Sequence, residues 1–404
     1  MTFVEFFDKT SVRNICSCLA HEPGRVIFIG DNGKLMKRYI PIYRDLFLKR
    51  GRDIDFSFRI VSKNDLDAII KILSDIVEKY DDVVFDLDGG EDTMLMAVGM
   101  VYERYFDRSI KLQRVNIASN TLCLGTHVEK QISGLSVHEH IRIYGGDVVF
   151  DDRMHDGTHM WDYSEGFKAD IDAMWDICKK DTALWNREIK DLQVLDKHRI
   201  PCKDPLYSRV SRASLEKNIN VSIMNKLVER GLVLDYEEDE KYISYRYKDP
   251  QVKRCLTKAG QALEMKIYSV AKSLRDDKGD YVYDDVLNGV CIDWDGDAEE
   301  NGESIVVENE IDVMMTKGAV PVFISCKNGQ VDVDELYKLN TVARRFGGDY
   351  AKKVLVTTAL ERSGGDFASF FRDRAEDMGI RLLENVQHYS ESELERAIKN
   401  LWRT

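Results

Sequence analysis

The feature that most constrains the fold is a repeated pattern in the first third of the chain. A short apolar run is followed there by a turn and then by a segment with apolar residues at helical spacing. Strands that alternate with helices in this way build mainly parallel sheets with helices on both faces. We therefore expect residues 1–150 to form an α/β domain. The predicted strands are residues 25–30, 54–61, 83–87, 111–118 and 138–144, and the predicted helices are residues 34–50, 64–80 and 91–105.

The pattern changes after this domain, where helical segments are followed by a hairpin pattern. Residues 167–190 and 214–230 predict helices, and residues 232–234 and 242–247 predict two hairpin strands. Two helices followed by a hairpin are the outline of a winged helix. The basic residues of the second helix are balanced by glutamates, whereas a helix that reads DNA needs a basic exposed face. The sequence therefore favours a helical linker region with a winged-helix-like hairpin at residues 151–254.

The last part of the chain, residues 255–404, returns to a mixed pattern of strands and helices. A helix that contains Glu264 comes first. Helix, hairpin, helix and strand in this order predict a second α/β domain. Its predicted strands are residues 304–316, 319–326 and 353–358, and the helix between the last two is residues 333–346.

The composition limits the possible surroundings and partners. The net charge of −13 excludes nucleic-acid binding through bulk positive charge, so any such binding requires a local basic groove. No window approaches the roughly 18 apolar residues of a membrane helix, and the first residues lack the pattern of a secretory signal. The eight cysteines form no matched CxxC pairs, which indicates reduced thiols. We expect a cytoplasmic protein without a membrane partner, in which Cys326 fills the core.

The predicted hairpin of the last part carries the most informative side chains. Side chains alternate between the two faces of a strand, so Glu310 and Asp312 share one face. On the second strand, Ser325 and Lys327 share a face for the same reason. Pairing through the turn brings Asp312 beside Lys327. Carboxylates that hold Mg²⁺ or Mn²⁺, together with a lysine at the phosphate, are the groups that phosphodiester hydrolysis uses.

This segment resembles the PD-(D/E)XK nuclease superfamily, whose pattern is an aspartate followed on the next strand by Glu-x-Lys. Asp312 matches the aspartate, Lys327 matches the lysine, and Glu264 matches a frequent extra carboxylate on the preceding helix. The sequence departs from the pattern at Ser325, which occupies the place of the glutamate.

In this superfamily the missing acid can come from the following helix, where Glu335 is better placed than Asp334. The resemblance therefore implies a metal-dependent phosphodiesterase. The implied catalytic residues are Asp312, Lys327, Glu335 and Glu264, and the implied ligands of Mn²⁺ or Mg²⁺ are Asp312, Glu335 and Glu264.

Arg344 and Arg345 end the helix that follows the hairpin, directly before two glycines. Cations at a helix C-terminus stabilise the helix dipole, which is one explanation for them. The other explanation is a rim that contacts nucleic-acid phosphates beside the site. The sequence does not separate the two, and both roles can coexist.

Two loops of the first domain follow predicted strands and contain small residues. Ligands of open α/β sheets bind at such loops, near helix N-termini whose amides attract phosphate. Neither loop has the GxGxxG or GxxxxGK[ST] pattern, so the sequence gives little support to an ordinary dinucleotide or triphosphate site. The residues of the two loops are Gly30, Asp31, Asn32, Gly33 and Lys34 after one strand, and Gly89, Gly90, Glu91, Asp92 and Thr93 after another.

The run from Asp86 to Asp92, together with the first loop, resembles the Rossmann-like CARF sensor domain of CRISPR systems. That family binds cyclic oligoadenylates across a homodimer interface, which implies the two loops as ligand-binding residues. A CARF-like start joined to a PD-(D/E)XK-like end resembles the ancillary nucleases of type III CRISPR antiviral defence. The resemblance implies a homodimer that cuts DNA, RNA or both when cyclic tetra-adenylate is bound.

Two other functions remain open on the sequence. CARF-like domains also occur with winged helices, so one alternative is a ligand-responsive transcriptional regulator. The other is a nuclease fold in which Ser325 marks weakened catalysis and nucleic-acid binding survives. Neither the ring size of the nucleotide nor the choice between DNA and RNA follows from the residues.

Overall fold

The structure is a computed structural model that describes residues 1–124, 127–149, 160–215, 219, 222–296, 307–360 and 365–403. The predicted domain boundary at residues 150 and 151 lies outside this part. So do the start of the predicted strand at 304–316 and several residues of the predicted helix at 214–230.

A seven-stranded sheet forms the first part of the molecule. Its order is β3-β2-β1-β4-β5-β6-β7, in which the first five strands are parallel and the last two are antiparallel. Helices pack on both faces, as the sequence predicts. The elements are β1 (Thr2–Phe6), α1 (Cys16–Ala20), β2 (Arg25–Gly30), α2 (Gly33–Lys49), β3 (Asp55–Ile60), α3 (Leu66–Lys79), β4 (Val83–Asp86), α4 (Asp92–Arg104), β5 (Ile110–Asn116), β6 (Thr121–Leu124) and β7 (His127–Gln131).

The strand β1, which lies inside this sheet between β2 and β4, was not among the predicted strands. All five of its residues are buried, and it pairs with β2 on one side and with β4 on the other. The sequence of a strand that is buried on both faces is a short apolar run without alternation. Periodicity alone does not identify such a run as a strand.

The prediction of a strand at residues 138–144 is wrong, because the segment forms the helix α5 (Val137–Ile143). Ser136 and Glu139 build a capping box at its start. Val137, His140 and Ile141 are buried at helical spacing. The two polar histidines interrupt the apolar residues and imitate the alternation of a strand.

The middle of the chain contains helices and a three-stranded antiparallel sheet of order β10-β11-β9. The predicted hairpin is present as its β10 and β11, and the predicted helix at residues 167–190 is divided into two. The elements are β8 (Asp147–Val148), α6 (Glu165–Cys178), α7 (Thr182–Lys197), β9 (Tyr207–Ser211), α8 (Ile223–Glu229), β10 (Val233–Glu238), β11 (Tyr242–Tyr247) and α9 (Pro250–Leu256).

A six-stranded sheet of order β16-β15-β14-β13-β12-β8 forms the last part. Its edge strand β8 comes from the segment that follows α5, so the first part contributes directly to this sheet. The strand β12 was not predicted from the sequence, whereas β13, β14, β15 and α11 were. The elements are α10 (Gln261–Ser273), β12 (Asp285–Asp293), β13 (Val307–Lys317), β14 (Val320–Lys327), α11 (Val333–Gly347), β15 (Lys352–Thr357), α12 (Gly365–Asp377), β16 (Ile380–Glu384) and α13 (Glu391–Lys399).

The two large sheets share a hydrophobic core. One buried cluster contains Phe28 of β2 together with Phe323 of β14 and Phe346 of α11. All eight cysteines are described and have free thiols, and Cys326 is buried as expected. Among the described helices, none has the length and apolar composition that crossing a membrane requires.

Candidate active site and ligand-binding edge

The first site lies where β13 separates from β14. Their pairing extends along β13 from Lys317 to Val313, and Asp312 is the next residue. The backbone N–H of Cys326 donates to Asp312 Oδ2 at 2.6 Å, and the Ser325 hydroxyl donates to the same oxygen at 3.2 Å. The Asp312 carboxylate thus accepts a backbone hydrogen bond that a carbonyl of β13 would accept in a regular sheet. The two strands separate at this point.

Lys327 and Glu335 form an ion pair beside this carboxylate. The distance from Lys327 Nζ to Glu335 Oε2 is 2.9 Å, and Lys338 Nζ lies 3.1 Å from Glu335 Oε1. Burial alone would lower the pKa of Lys327, but Asp312 and Glu335 outweigh it and raise that pKa. Burial opposes ionisation of Glu335, but its bond to Lys327 lowers the pKa of the carboxyl. Both members of the pair are therefore charged at neutral pH.

Glu264 faces the same region from the first turns of α10. Its side chain is 6% exposed, and its Oε2 has no hydrogen-bond partner among the described residues. Burial and then the charge of Asp312 raise the pKa of Glu264 to about 8. Burial also raises the pKa of Asp312, against the effect of Lys327. The two carboxyl groups repel each other in a buried setting, which a cation would relieve.

A cleft of about 350 Å³ contains Asp312, Ser325, Lys327 and Glu335. In the described part of the chain, no three His, Cys, Asp or Glu side chains are close enough together to form a metal cluster. The predicted ligand set is thus divided, because Glu335 is paired with lysines, while Glu264 and Asp312 are near enough for the charge of Asp312 to raise the pKa of Glu264. This pair, with one orphaned oxygen, fits a divalent cation that also takes phosphate or water oxygens.

The two arginines of the predicted rim lie at the other end of α11. Nine residues separate Glu335 from Arg344, which corresponds to about 14 Å along a helix. Arg345 Nη1 donates to the carbonyl of Tyr144 at 2.7 Å, so its guanidinium is part of the packing between α11 and the first sheet. Neither arginine is adjacent to the cleft.

The two predicted ligand loops lie at one edge of the seven-stranded sheet. The strands β2 and β4 are parallel and flank β1, so both loops stand at the carboxyl edge on either side of β1. Gly33 begins α2, and Asp92 begins α4. Lys34 is exposed and Thr93 is partly exposed at these helix N-termini. The structure brings these loops to one surface.

The glycines of these loops are required by close packing. Gly89 has a φ of +85°, and a Cβ there would lie 2.8 Å from the carbonyl oxygen of Phe6. A Cβ on Gly33 would lie 2.5 Å from Ile60 Cδ1. A side chain at position 89 requires movement of the backbone at Phe6, whereas at position 33 only the end of the exposed Ile60 side chain has to move.

A lysine that the sequence did not single out connects the two loops. Lys63 Nζ donates to Glu91 Oε1 at 2.5 Å, and this carboxylate and then Asp31 raise the pKa of Lys63. Since Lys63 follows β3, only the order of strands in the sheet places it beside both loops. Its location in a polar loop gives no sequence signal of that role.

Acidic side chains are buried beneath the ligand edge. Asp86 Oδ2 accepts hydrogen bonds from the Ser17 hydroxyl and from Gln113 Nε2, the latter at 2.9 Å. Burial and then the charge of Asp88 raise the pKa of Asp86 to about 7. Burial likewise raises the pKa of Glu5 well above its ordinary value. The base of the ligand edge is therefore largely protonated at mildly acidic pH.

Two contacts join this edge to the second sheet. Arg13 Nη1 is 3.2 Å from Asp8 Oδ2, and Arg13 Nε donates to the hydroxyl of Tyr350 at 3.1 Å. The buried His140 lies with its Nε2 2.9 Å from the carbonyl oxygen of Phe346, to which this nitrogen donates. Tyr350 follows α11 directly, and Phe346 lies in its last turn. The C-terminal end of α11 is thus held by the first part of the molecule.

Comparisons with known proteins bear on the fold. No protein-family model and no curated protein sequence matches the chain. Protein VC1899 from Vibrio cholerae has a similar structure, with a TM-score of 0.73 and 20% identity over 100% of this chain and 98% of that one. Can2 from Sulfobacillus thermosulfidooxidans, solved in complex with cyclic tetra-adenylate, has a TM-score of 0.65 and 15% identity over 98% of this chain and 99% of its own. The chain has the fold of a CARF-domain ancillary nuclease.

A third structure extends this likeness. It is a type III CRISPR defence DNA nuclease activated by cyclic oligoadenylate, with a TM-score of 0.50 and 13% identity, and the alignment covers 89% of this chain and 45% of that one. The fold class predicted from the sequence is confirmed: a Rossmann-like CARF sheet is joined to a second α/β part. We call the seven-stranded part the CARF part and the six-stranded part the nuclease-like part.

Proposed function

We propose that the chain is a metal-dependent nuclease of type III CRISPR antiviral defence, activated by cyclic tetra-adenylate. One observation carries this proposal. A chain with the fold of Can2 over nearly its full length holds Asp312 and the Lys327–Glu335 pair in one cleft of the nuclease-like part, and the charge of Asp312 acts on the buried Glu264.

The residues of the cleft have separate roles in this proposal. Asp312 and Glu264 would hold Mg²⁺ or Mn²⁺, which when bound stabilises charge at the phosphate and favours an ionised water. Lys327 directs its ammonium toward a non-bridging phosphate oxygen and stabilises charge that develops during hydrolysis. Glu335 is a positioning residue, because it orients Lys327 and keeps its pKa raised.

Cyclic tetra-adenylate would lie on the carboxyl edge of the CARF part. The N-termini of α2 and α4 present backbone amides there, which attract phosphate. Lys34 and Thr93 are the proposed side-chain contacts. Lys63 is a second lysine at this edge and balances Glu91 and Asp31.

A homodimer is supported by an apolar stripe on α4. Met96 is 53% exposed and Met100 is 45% exposed, one helical turn apart. Between them, a Cβ on Gly99 would meet no atom within 4 Å. A second copy of this stripe is a suitable cover because an exposed apolar face beside the ligand edge would otherwise remain in water.

Activation requires that ligand binding at the CARF edge changes the cleft. Asp8 follows β1 at the ligand edge, and its partner Arg13 reaches Tyr350 at the end of α11. The other end of α11 carries Glu335, the partner of Lys327. In this proposal α11 moves as a rigid rod, and the ligand favours the arrangement in which the Lys327–Glu335 pair faces the metal.

The test is a cleavage assay with Mn²⁺ on single-stranded DNA, RNA and supercoiled plasmid, with cyclic tetra-adenylate or with linear tetra-adenylate as the control. Cleavage that needs the cyclic ligand and is absent from Asp312→Asn supports the proposal. Cleavage that is the same with and without ligand contradicts the activation. No cleavage of any substrate contradicts the nuclease assignment.

A second candidate is a ligand-gated nucleic-acid-binding protein with weakened catalysis. Ser325 stands at the position of the usual glutamate, and the described carboxylates do not form a cluster of three. Calorimetry with Mn²⁺ separates the two candidates, since a weakened site binds the metal poorly while ligand-dependent binding of nucleic acid persists.

A further inference from the structure

The outer face of α11 connects the cleft to a basic surface at the far end of the nuclease-like part. Lys338, Thr341 and Arg344 are exposed at a spacing of three residues, which forms a ridge that crosses the helix surface diagonally. The ridge begins at Lys338, which lines the cleft. Tyr337, 45% exposed, stands next to it.

The ridge ends at a group of cations around the start of β15. Arg344 and Lys353 line one hollow of about 520 Å³. Lys352 and Lys353 line an adjoining hollow of about 560 Å³, together with Arg372 and Arg381. Because Lys352 pairs with Val322 and Thr357 pairs with Lys327, this surface lies at the opposite end of β14 from the cleft.

The cations of this surface are only partly neutralised. Within the described ranges, neither Arg344 nor Lys352 forms an ion pair. Burial lowers the pKa of Lys352, and burial and then Arg344 lower that of Lys353. Asp349 and Glu376 line the hollows as well, but the cations outnumber them. A local surplus of positive charge in a chain of net charge −13 is suited to a polyanion.

We propose that this face of α11 is a track for the backbone of a single nucleic-acid strand, which runs from the cleft over Lys338, Thr341 and Arg344 to Lys352 and Lys353. This proposal rests on the proposed nuclease function. It adds the class of substrate, a single strand, and the direction in which that strand leaves the cleft. The cations contact phosphates. The Thr341 hydroxyl donates to the carbonyl of Tyr337 at 2.8 Å, so Thr341 forms an uncharged part of the surface between the cations.

An exposed aromatic ring beside the cleft favours a single strand over a duplex. A base can stack on Tyr337 only if it is unpaired and turned away from its neighbours, and such stacking is worth roughly 1–3 kcal/mol per base. The distance from Lys338 to Arg344 is about 9 Å along the helix axis, and even a fully stacked strand rises by only roughly 3.4 Å per nucleotide. A substrate must therefore extend several nucleotides beyond the cleavage site to reach Lys352.

The experiment compares a single-stranded oligonucleotide of about 6 nucleotides with one of about 30, at saturating cyclic tetra-adenylate. Variants are Arg344→Gln, Lys352→Gln and their combination, and Arg396→Gln on the exposed side of α13 is the control of equal charge change. Binding is measured with the Asp312→Asn protein as background, over a series of salt concentrations. Tyr337→Ala is compared with Tyr337→Phe, which keeps the ring.

We expect the double variant to bind the long strand at least tenfold more weakly and to lose about 1.4 units of the salt slope, at roughly 0.7 for each phosphate contact of a single strand. Cleavage of the short strand should be unchanged. Tyr337→Ala should weaken binding without changing the salt slope, and Tyr337→Phe should not. If Arg344→Gln and Lys352→Gln each bind the long strand like Arg396→Gln while the parent cuts it, the track is wrong and the nuclease stands. If the parent binds the long strand through these residues without cutting any substrate, the nuclease assignment fails and the track remains.

Discussion

Arg13 donates a hydrogen bond from Nε to the hydroxyl of Tyr350 at 3.1 Å, across 337 positions of the sequence. Its Nη1 holds Asp8 at 3.2 Å. One guanidinium therefore connects the ligand edge of the CARF part to the residue that follows α11.

We expect Tyr350→Phe to weaken the link between ligand and cleavage. The change removes one hydrogen bond to a charged donor, worth about 1.5–3 kcal/mol, while the ring remains. The ratio of cleavage with ligand to cleavage without it should fall about tenfold, with ligand affinity measured by calorimetry nearly preserved. Tyr281→Phe, on an exposed tyrosine, is the control. An unchanged ratio would show that activation takes another route.

Replacement of the cleft residues should separate metal binding from catalysis. Lys327→Met should reduce cleavage by roughly 10²–10³-fold but leave Mn²⁺ binding in calorimetry, because Lys327 stabilises charge and holds no metal. Asp312→Asn should lose both cleavage and Mn²⁺ binding. Lys399→Met, whose partner Asp277 is fully exposed, is the control for loss of a lysine. Full cleavage by Lys327→Met would remove this lysine from the site.

The role of Glu335 can be tested by returning the missing glutamate to β14. Glu335→Gln should lower cleavage, since Lys327 loses the partner that orients it. Ser325 lines the same cleft, so Ser325→Glu in the Glu335→Gln background places a carboxylate on the strand beside Lys327. We expect the double variant to recover part of the activity. A double variant less active than Glu335→Gln would show that Ser325 is needed for its bond to Asp312.

Asp86 should make the stability of the CARF part depend on pH. Its ordinary pKa is 3.8 and its pKa in the folded chain is about 7. The folded state therefore binds more protons than the unfolded state between about pH 4 and 7, and stability falls as pH rises through this range. The loss is roughly 4 kcal/mol at 1.4 kcal/mol per unit.

The measurement for this prediction is thermal unfolding of Asp86→Asn between pH 4 and 8. The variant cannot ionise, so its melting temperature should gain on that of the parent as the pH rises. Asp107→Asn, on an exposed aspartate, is the control. Parallel curves for Asp86→Asn and the parent would show that Asp86 is ionised in the folded chain over this whole range.

The apolar stripe on α4 should form the interface of the homodimer. Met96→Glu with Met100→Glu places four charges in a symmetric interface, which should convert a dimer into monomers in sedimentation at micromolar concentration. Binding of cyclic tetra-adenylate should also weaken in this double variant, because the loops of both copies would contact the ligand. Leu48→Glu, at another half-exposed apolar residue, is the control. A double variant that stays dimeric would place the interface elsewhere.

Much of the fold could be predicted because local patterns agree with it. The strands β2 to β5 and the helices between them have runs and turns that identify them without tertiary information. In contrast, β1 and α5 were missed or misassigned. Burial on both faces erases the alternation of a strand, and two buried or half-buried histidines imitate it in a helix.

The candidate site could likewise be predicted only where local patterns were sufficient. Asp312 and Lys327 are joined by a short hairpin, so strand alternation alone suggested their proximity. The sequence also supplied Glu264 and Glu335, but not that Glu335 pairs with two lysines while the charge of Asp312 acts on Glu264. That division depends on where α10 and α11 pack against the sheet.

By itself, the sequence determined most of the segments that form strands and helices and which side chains carry charge at their ends, because these properties depend on neighbours a few positions apart. Only the tertiary structure decided that Lys63 lies between two loops, that Arg13 reaches Tyr350, and that Arg344 lies a helix length from the cleft. Those relationships depend on strand order and helix packing, and residues far apart in a chain leave no local pattern to report them.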